Sequence, residues 1–329
     1  MVRAGRHSRR WIGAVLTVGM LTGCGHGPAG AGESGPASAG TFDPTTATAI
    51  LTAFDHADSA ASSAGELGAL AAQETSPALD ASVASVRRTK ATNRTQPAFR
   101  HVDPVFAIPA GSPSCFLAVA TLTTVGAELT RTDVSQFVRT DDNAWKLSHN
   151  IQIGPAEAPT IRTAGGRPAA PSTTVIDNER RARLSAEVFA RTIATGTPDL
   201  ARVGTSVLLD KQFAAGWQVY QQQMATAKMA VTRTLSGADW SACAVTLDRG
   251  TVTFLTLHVT DTIQGQPGVP ATLDPRSPDL VGLGQSTAVT GTTIAISRVE
   301  VVLLLVPADA SAATVLGLND APTAISATP

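Results

Sequence analysis

The chain has 329 residues and a nearly balanced charge, 25 Lys and Arg against 26 Asp and Glu, for a formal net charge of −1 at pH 7. Four of those arginines fall in the first ten residues, and without them 21 basic side chains face 26 acidic ones. That balance argues against nucleic acid or an anionic membrane face as the main partner, and the length exceeds one comfortable hydrophobic core.

Arg3, Arg6, Arg9 and Arg10 form a positive head with no acidic residue beside them, followed by a mostly apolar run from Trp11 to Met20. A helix from Trp11 to Cys24 reaches roughly 20 Å, against about 30 Å for a bilayer core. Residues 1–23 are therefore expected to be a signal peptide rather than a permanent span. Leu21-Thr22-Gly23-Cys24 resembles the bacterial lipobox. The resemblance implies cleavage before Cys24, diacylglycerol on its sulfur, and attachment to membrane lipid on the extracytoplasmic face of the cell membrane. The alternative is an ordinary signal peptide cut nearby and a freely secreted protein. Ser8-Arg9-Arg10-Trp11-Ile12-Gly13 also resembles a weak twin-arginine export signal, so the export route stays open. Residues 24–42 are mostly Gly, Ala, Ser and Pro, a composition that cannot offset its ordering entropy and is expected to act as a flexible tether.

The strongest internal break is residues 155–174, with four prolines and few large apolar side chains, expected to be a linker between a first domain at 43–154 and a second at 175–320. In the first, Asp43-Pro44 offers a helix start, and Ile50, Leu51 and Phe54 follow at helical spacing. Further helices are expected at 65–73 and 77–90. The period then shortens: an extended segment holds Phe99, Val102, Val105 and Phe106, CFLAVATLTTV (115–125) reads as a central strand, and 135–140 and 144–153 form a hairpin about Asp141-Asp142-Asn143. The second half repeats the order. A helix is expected at 177–195, helical segments at 198–203 and 206–211, and strands at 225–235, 241–247, 251–260 and 293–306. Within VEVVLLLV (299–306) only Glu300 is polar, so that strand is expected to be buried on both faces. The tail at 321–329 is expected to fray.

Helices gathered ahead of an antiparallel sheet, twice over, describe an α+β fold. The order resembles the cone of the cystatin-like, or nuclear-transport-factor-2-like, superfamily, in which helices lie across a curved sheet. VASVRRTKATNRTQPAFRHVDPVFAIP (83–109), CFLAVATL (115–122) and NAWKLSHNIQI (143–153) resemble a family of actinobacterial lipoproteins built as two such units behind a lipobox. That family carries no assigned activity, so the resemblance implies architecture and location and supplies no catalytic residues.

Cys115 and Cys243 are the cysteines that remain beyond Cys24, one in each half. Two separate buried thiols are the simpler account; a disulfide stapling the halves is the other. No metal motif, phosphate loop or nucleophile elbow is present, and no cofactor is expected. A cone pocket could use His101, Asp103 or His149 for acid–base work; His101 and Asp103 are expected to point the same way on an extended segment. Trp145 is expected to anchor the core, His258 to be a core residue beside Val252 and Phe254, and Asp55 and Asp58 to lie on a solvated helix face. Arg87, Arg88 and Lys90 are expected at a solvated helix end, with contact to lipid head groups or cell-wall polymer as the sharper alternative. The expected function is non-catalytic binding or scaffolding at the cell envelope, with an envelope protein, cell-wall polymer or small apolar ligand as partner. A carrier of a small apolar ligand and an acid–base enzyme are the alternatives.

Overall fold

The structure, a computed structural model, describes residues 42–109, 113–124, 130–153, 163–164, 167–168, 176–193, 196–206, 208–247 and 250–329. The expected signal peptide, the lipobox-like stretch with Cys24, most of the expected tether and most of the 155–174 break lie outside the described residues. Thr41–Pro329 forms one compact unit.

Helix α1 (Pro44–Ala64) starts as the sequence predicts. The Asp43 carboxylate accepts the Thr46 N–H at 2.8 Å, Pro44 occupies the first turn, and Gly65 closes the helix in the left-handed region at φ 69°. α2 (Leu67–Gln73) and α3 (Ala78–Ala91) follow. Strands β1 (Phe99–Ala107), β2 (Cys115–Thr124), β3 (Thr130–Arg139) and β4 (Trp145–Ile153) form an antiparallel meander in that order. A two-residue ribbon, β5 (Thr163–Ala164) with β6 (Arg167–Pro168), leads to α4 (Asn178–Thr192), capped by Asp177. A π-helical turn, Leu208–Ala214, runs into α5 (Ala215–Thr226). Strands β7 (Met229–Leu247), β8 (Gly250–Gly265), β11 (Thr293–Val306) and β12 (Thr314–Thr328) make a second antiparallel sheet in the order β12-β11-β8-β7. Between β8 and β11 lie β9 (Ala271–Leu273), α6 (Pro278–Leu283) and β10 (Val289–Gly291). Among the described residues the fold is thus α+β, with six α-helices and antiparallel sheets that do not close into barrels.

Side-chain alternation turns these elements into four layers. On one face of the first sheet Phe106, Phe116, Phe137 and Leu147 meet Leu51, Phe54 and Ala78 of the helices. On its other face Leu117, Val134, Ile151 and Ile153 meet Val252, Phe254, Val301 and Leu303 of the second sheet. The next residues along those strands, Leu255, Leu257, Val302 and Leu304, point the opposite way, against Leu184 and Val188 of α4. Residues 299–306 are accordingly buried on both faces, one against a sheet and one against a helix. Gly317 permits the close approach of β12 to β4, because a β-carbon there would fall 2.1 Å from Ile151 Cγ2. Cys115 and Cys243 are disulfide-bonded across the sheet–sheet layer, their α-carbons 6.0 Å apart, so the separate thiols are not formed.

The structure corrects two expectations of secondary structure and adds a helix. The tail at 321–329 does not fray: β12 pairs with β11 from Thr314 to Thr328, because its backbone completes the ladder of an apolar neighbour. The strands expected at 225–235 and 241–247 are one strand, β7, interrupted by register shifts between Leu235 and Gly237 and between Trp240 and Ala244. The Gln-rich segment before it is α5, whose Trp217 is buried against Val231 and Ile263.

Candidate functional site

The polar residues of α1 follow a helical period. Asp55, Asp58, Ser59 and Ser62 fall at i, i+3, i+4 and i+7, on one side of the helix. That side faces inward: Asp58 is 3% exposed, Ser59 8% and Ser62 6%. The solvated face expected for Asp58 is therefore overturned, because the helix turns this stripe towards the first sheet rather than towards water.

His101 on β1 is clamped between two carboxylates. Its Nδ1 lies 2.5 Å from Asp55 Oδ1 and its Nε2 3.0 Å from Asp133 Oδ2, while its backbone N–H donates to Asp55 Oδ2 at 2.8 Å. Asp133, on β3, also accepts from Ser135 Oγ and from Asn150 Nδ2 at 2.7 and 2.8 Å. Burial alone would depress the imidazole, but the hydrogen bonds and charges of Asp133 and Asp55 overcome it and hold the His101 pKa up to about 10. At neutral pH His101 is an imidazolium with both N–H groups engaged.

A second pair of carboxyls lies alongside. Thr75 N–H donates to Leu147 O at 2.8 Å, which fastens the end of α2 to β4 and brings Glu74 beneath the helices. Ser82 Oγ donates to Glu74 Oε1 at 2.9 Å, and Ser62 Oγ reaches Asp58 Oδ2 at 3.5 Å. Burial, followed by the Asp58 charge, pushes Glu74 up to about 8. Burial is also the main cause that raises Asp58, to about 6, against the hydrogen bonds of Ser62 and Glu74. The pair therefore retains about one proton at neutral pH. Asp58, Glu74, His101, Asp133 and Asn150 line a cavity of about 200 Å³, with Phe54 and Phe99 as aromatic wall and Val301 and Asn319 contributed by the second half.

The other expected site residues are scattered. Asp103 is exposed, at φ 51°, on the β-bulge between Val102 and Val105, so it does not share the direction of His101. His149 faces the second sheet instead of the helices. An extra residue at Ser148, where the β3–β4 register shifts, puts Leu147 and His149 on opposite faces. Its Nε2 lies 3.1 Å from Thr256 Oγ1, its ring stacks 5.0 Å from Phe254, and burial pushes its pKa down to about 4, so it is neutral. With Asp239, Trp240, Ser241 and His258 it lines a groove of about 470 Å³ where the two sheets meet. His258 is not a core residue, since its side chain is 43% exposed and pairs with Asp239 at 2.8 Å. Trp145 does anchor the core, 5.2 Å from Phe116 and 4.9 Å from Phe42.

The basic run of α3 holds backbone carbonyls: Arg87 donates to Gly282 O, Arg88 to Pro278 O and Lys90 to Gly65 O, at 3.1, 3.2 and 2.9 Å. Two of these contacts tie α3 to α6 and so fasten the halves together. In the second half Arg233 binds Asp261 at 2.5 Å and Glu300 at 2.6 Å beneath Trp217, and Arg298 binds Asp279 at 2.6 Å and also Asp320. Glu300, the lone polar residue of 299–306, is thus a partner in an ionic network. Among the described residues no group of three or more His, Cys, Asp or Glu could hold a metal ion.

A family model described as Domain of unknown function (DUF8094) matches residues 38–327. No curated protein and no solved structure matches the chain.

Proposed function

The chain belongs to the family of the Domain of unknown function (DUF8094), a membership that brings no activity with it, and we propose from the site that it binds a small ligand without transforming it. In this reading the protein is an actinobacterial lipoprotein, acylated on Cys24 and held on the extracytoplasmic face of the cell membrane. Its halves are two cystatin-like units in tandem, each with helices ahead of a sheet, packed sheet against sheet. The observation that carries binding over catalysis is the double clamp on His101. The cavity's imidazole has no free nitrogen to accept or deliver a proton, because Asp55 and Asp133 hold both. A carrier of an apolar ligand fits less well, since Asp58, Glu74 and Asp133 would meet such a ligand with buried carboxyl groups.

A second reading, acid–base catalysis, is favoured by the raised carboxyls of Asp58 and Glu74, which resemble a shared-proton pair. Native mass spectrometry of the full chain, extracted with its anchor from its own host in mild detergent, separates these readings. Binding is expected to show one retained small molecule, unchanged on incubation and missing from Ala81→Phe, which fills the cavity. A protein that retains nothing and gains nothing from a host metabolite extract would contradict it. Conversion of the retained compound would transfer the case to the enzyme reading.

A further inference from the structure

We propose that this cavity selects a small organic cation, a primary ammonium on a compact body, seated against the Asp58 and Glu74 carboxyls and walled by Phe54 and Phe99. The proposal rests on the reading of the cavity as a ligand site and names its ligand class.

Charge is the first support. Three carboxyl groups, Asp58, Glu74 and Asp133, line the cavity against one imidazolium, His101, and a fourth carboxylate, Asp55, lies behind that imidazolium. No lysine or arginine is among the described residues that line it. The cavity is therefore negative even with His101 fully charged, and an anionic ligand would be repelled.

The second support is independent of the charge count. Asp58 and Glu74 are 3% and 2% exposed, and one oxygen of each, Asp58 Oδ1 and Glu74 Oε2, has no hydrogen-bond partner beyond the proton that the two carboxyls share. Buried carboxylate oxygens left without donors are costly. The proton that the pair retains relieves part of that cost; an ammonium group, with three donors, relieves more of it. The amides of Asn319 and Gln152 line the same cavity and offer acceptors for the remaining donor.

Size and walls narrow the class. At about 30 Å³ per water, a space of about 200 Å³ holds six or seven waters. That admits an ammonium with a few carbon atoms and is too small to enclose a nucleotide, an oligosaccharide or an acyl chain. The rings of Phe54 and Phe99, with centroids 6.4 Å apart, suit a cation that presents CH groups as well as N–H. A bare metal ion fits poorly, because no group of three metal-ligating side chains is present among the described residues.

The test is titration calorimetry on the full chain in detergent, with propylammonium, ethanolamine and putrescine as probes and propanol and propionate as neutral and anionic comparisons. At least one amine is expected to bind, with affinity at least tenfold above both comparisons and at least tenfold weaker in the Asp58→Asn, Glu74→Gln double variant. That variant keeps the shape of the site and removes its buried charge, so it is expected to melt no lower than the parent chain. Its melting temperature shows whether any loss of binding comes from misfolding, and Ala81→Phe gives a second variant that should also abolish binding. Amines that bind no better than propanol, or equally well to the double variant, would overturn the proposal. If native mass spectrometry then finds a neutral or anionic molecule in the cavity, the binding role stands and only the ligand class fails. If no molecule is found either, both fail.

Discussion

Replacing His101 by alanine is expected to destabilise the fold by about 3–5 kcal/mol, the cost of breaking a buried ion pair by removing one partner. The variant leaves Asp55 and Asp133 facing each other across a space that their counter-charge had filled, and Asp133 is 1% exposed. For a unit of this size that corresponds to a fall in melting temperature on the order of 10 °C, which circular dichroism would detect. The pH dependence has a definite sign. The folded-state pKa of His101 is raised above its usual value of 6.5 to about 10, so its stabilisation is fully present below about pH 6.5 and is lost as pH rises through 10. Parent and variant should therefore differ most at pH 6 and converge towards pH 10. Adding Asp55→Asn and Asp133→Asn to the variant should recover part of the loss, since no uncompensated charge then remains buried. An unchanged melting temperature in His101→Ala would mean that the clamp is not formed in solution.

Removing the disulfide is expected to cost about as much. Cys115 and Cys243 are separated by 128 positions, and a closed loop of that length restricts the unfolded chain by about 5 kcal/mol in the entropic account, towards the upper end of the usual 2–5 kcal/mol. The Cys115→Ala, Cys243→Ala variant, measured by urea unfolding, should show a midpoint well below that of the parent. The bond crosses the layer where the two sheets meet, so its loss should also raise hydrogen exchange along β2 and β7 before it affects the helices. A double variant with the parent's midpoint would show that sheet-to-sheet packing alone holds the halves.

The class of fold was legible because its signals are local. The Asp43-Pro44 cap, the amphipathic spacing of Leu51 and Phe54 and the apolar runs of β2, β8 and β11 each name an element without reference to the rest. What joins the elements was much less visible. The apolar character of both faces of β11 implied a cover on each side, but only the long-range pairing of β12 and the approach at Gly317 show that one cover is another sheet. β12 itself has small, weakly apolar residues such as Ala321 and Ala324, and its order derives from ladder hydrogen bonds to β11, which composition does not record. The candidate site was partly legible. His101 stands out by residue type, but strand alternation pairs Asp103 with it, and a bulge cancels that alternation. Asp58 is hard to single out because a carboxylate on a helix is usually solvated; its spacing to Asp55, Ser59 and Ser62 is the available signal. Glu74 had no local signal, since its burial depends on the tie between Thr75 and Leu147. Arg87 and Arg88 looked like a free basic patch because the carbonyls they hold lie some 190 residues away.

The central claim is that the imidazole of the cavity is held as a cation and binds rather than transfers protons. Nitrogen-15 NMR of the protein, labelled at its histidines, tests it most directly. At pH 8 the His101 ring, assigned by its loss in His101→Ala, should show two protonated nitrogens and no titration until pH approaches 10. A His101 ring that is neutral at pH 8, with one bare nitrogen and a midpoint near 6.5, would contradict the account and leave the cavity with a working base.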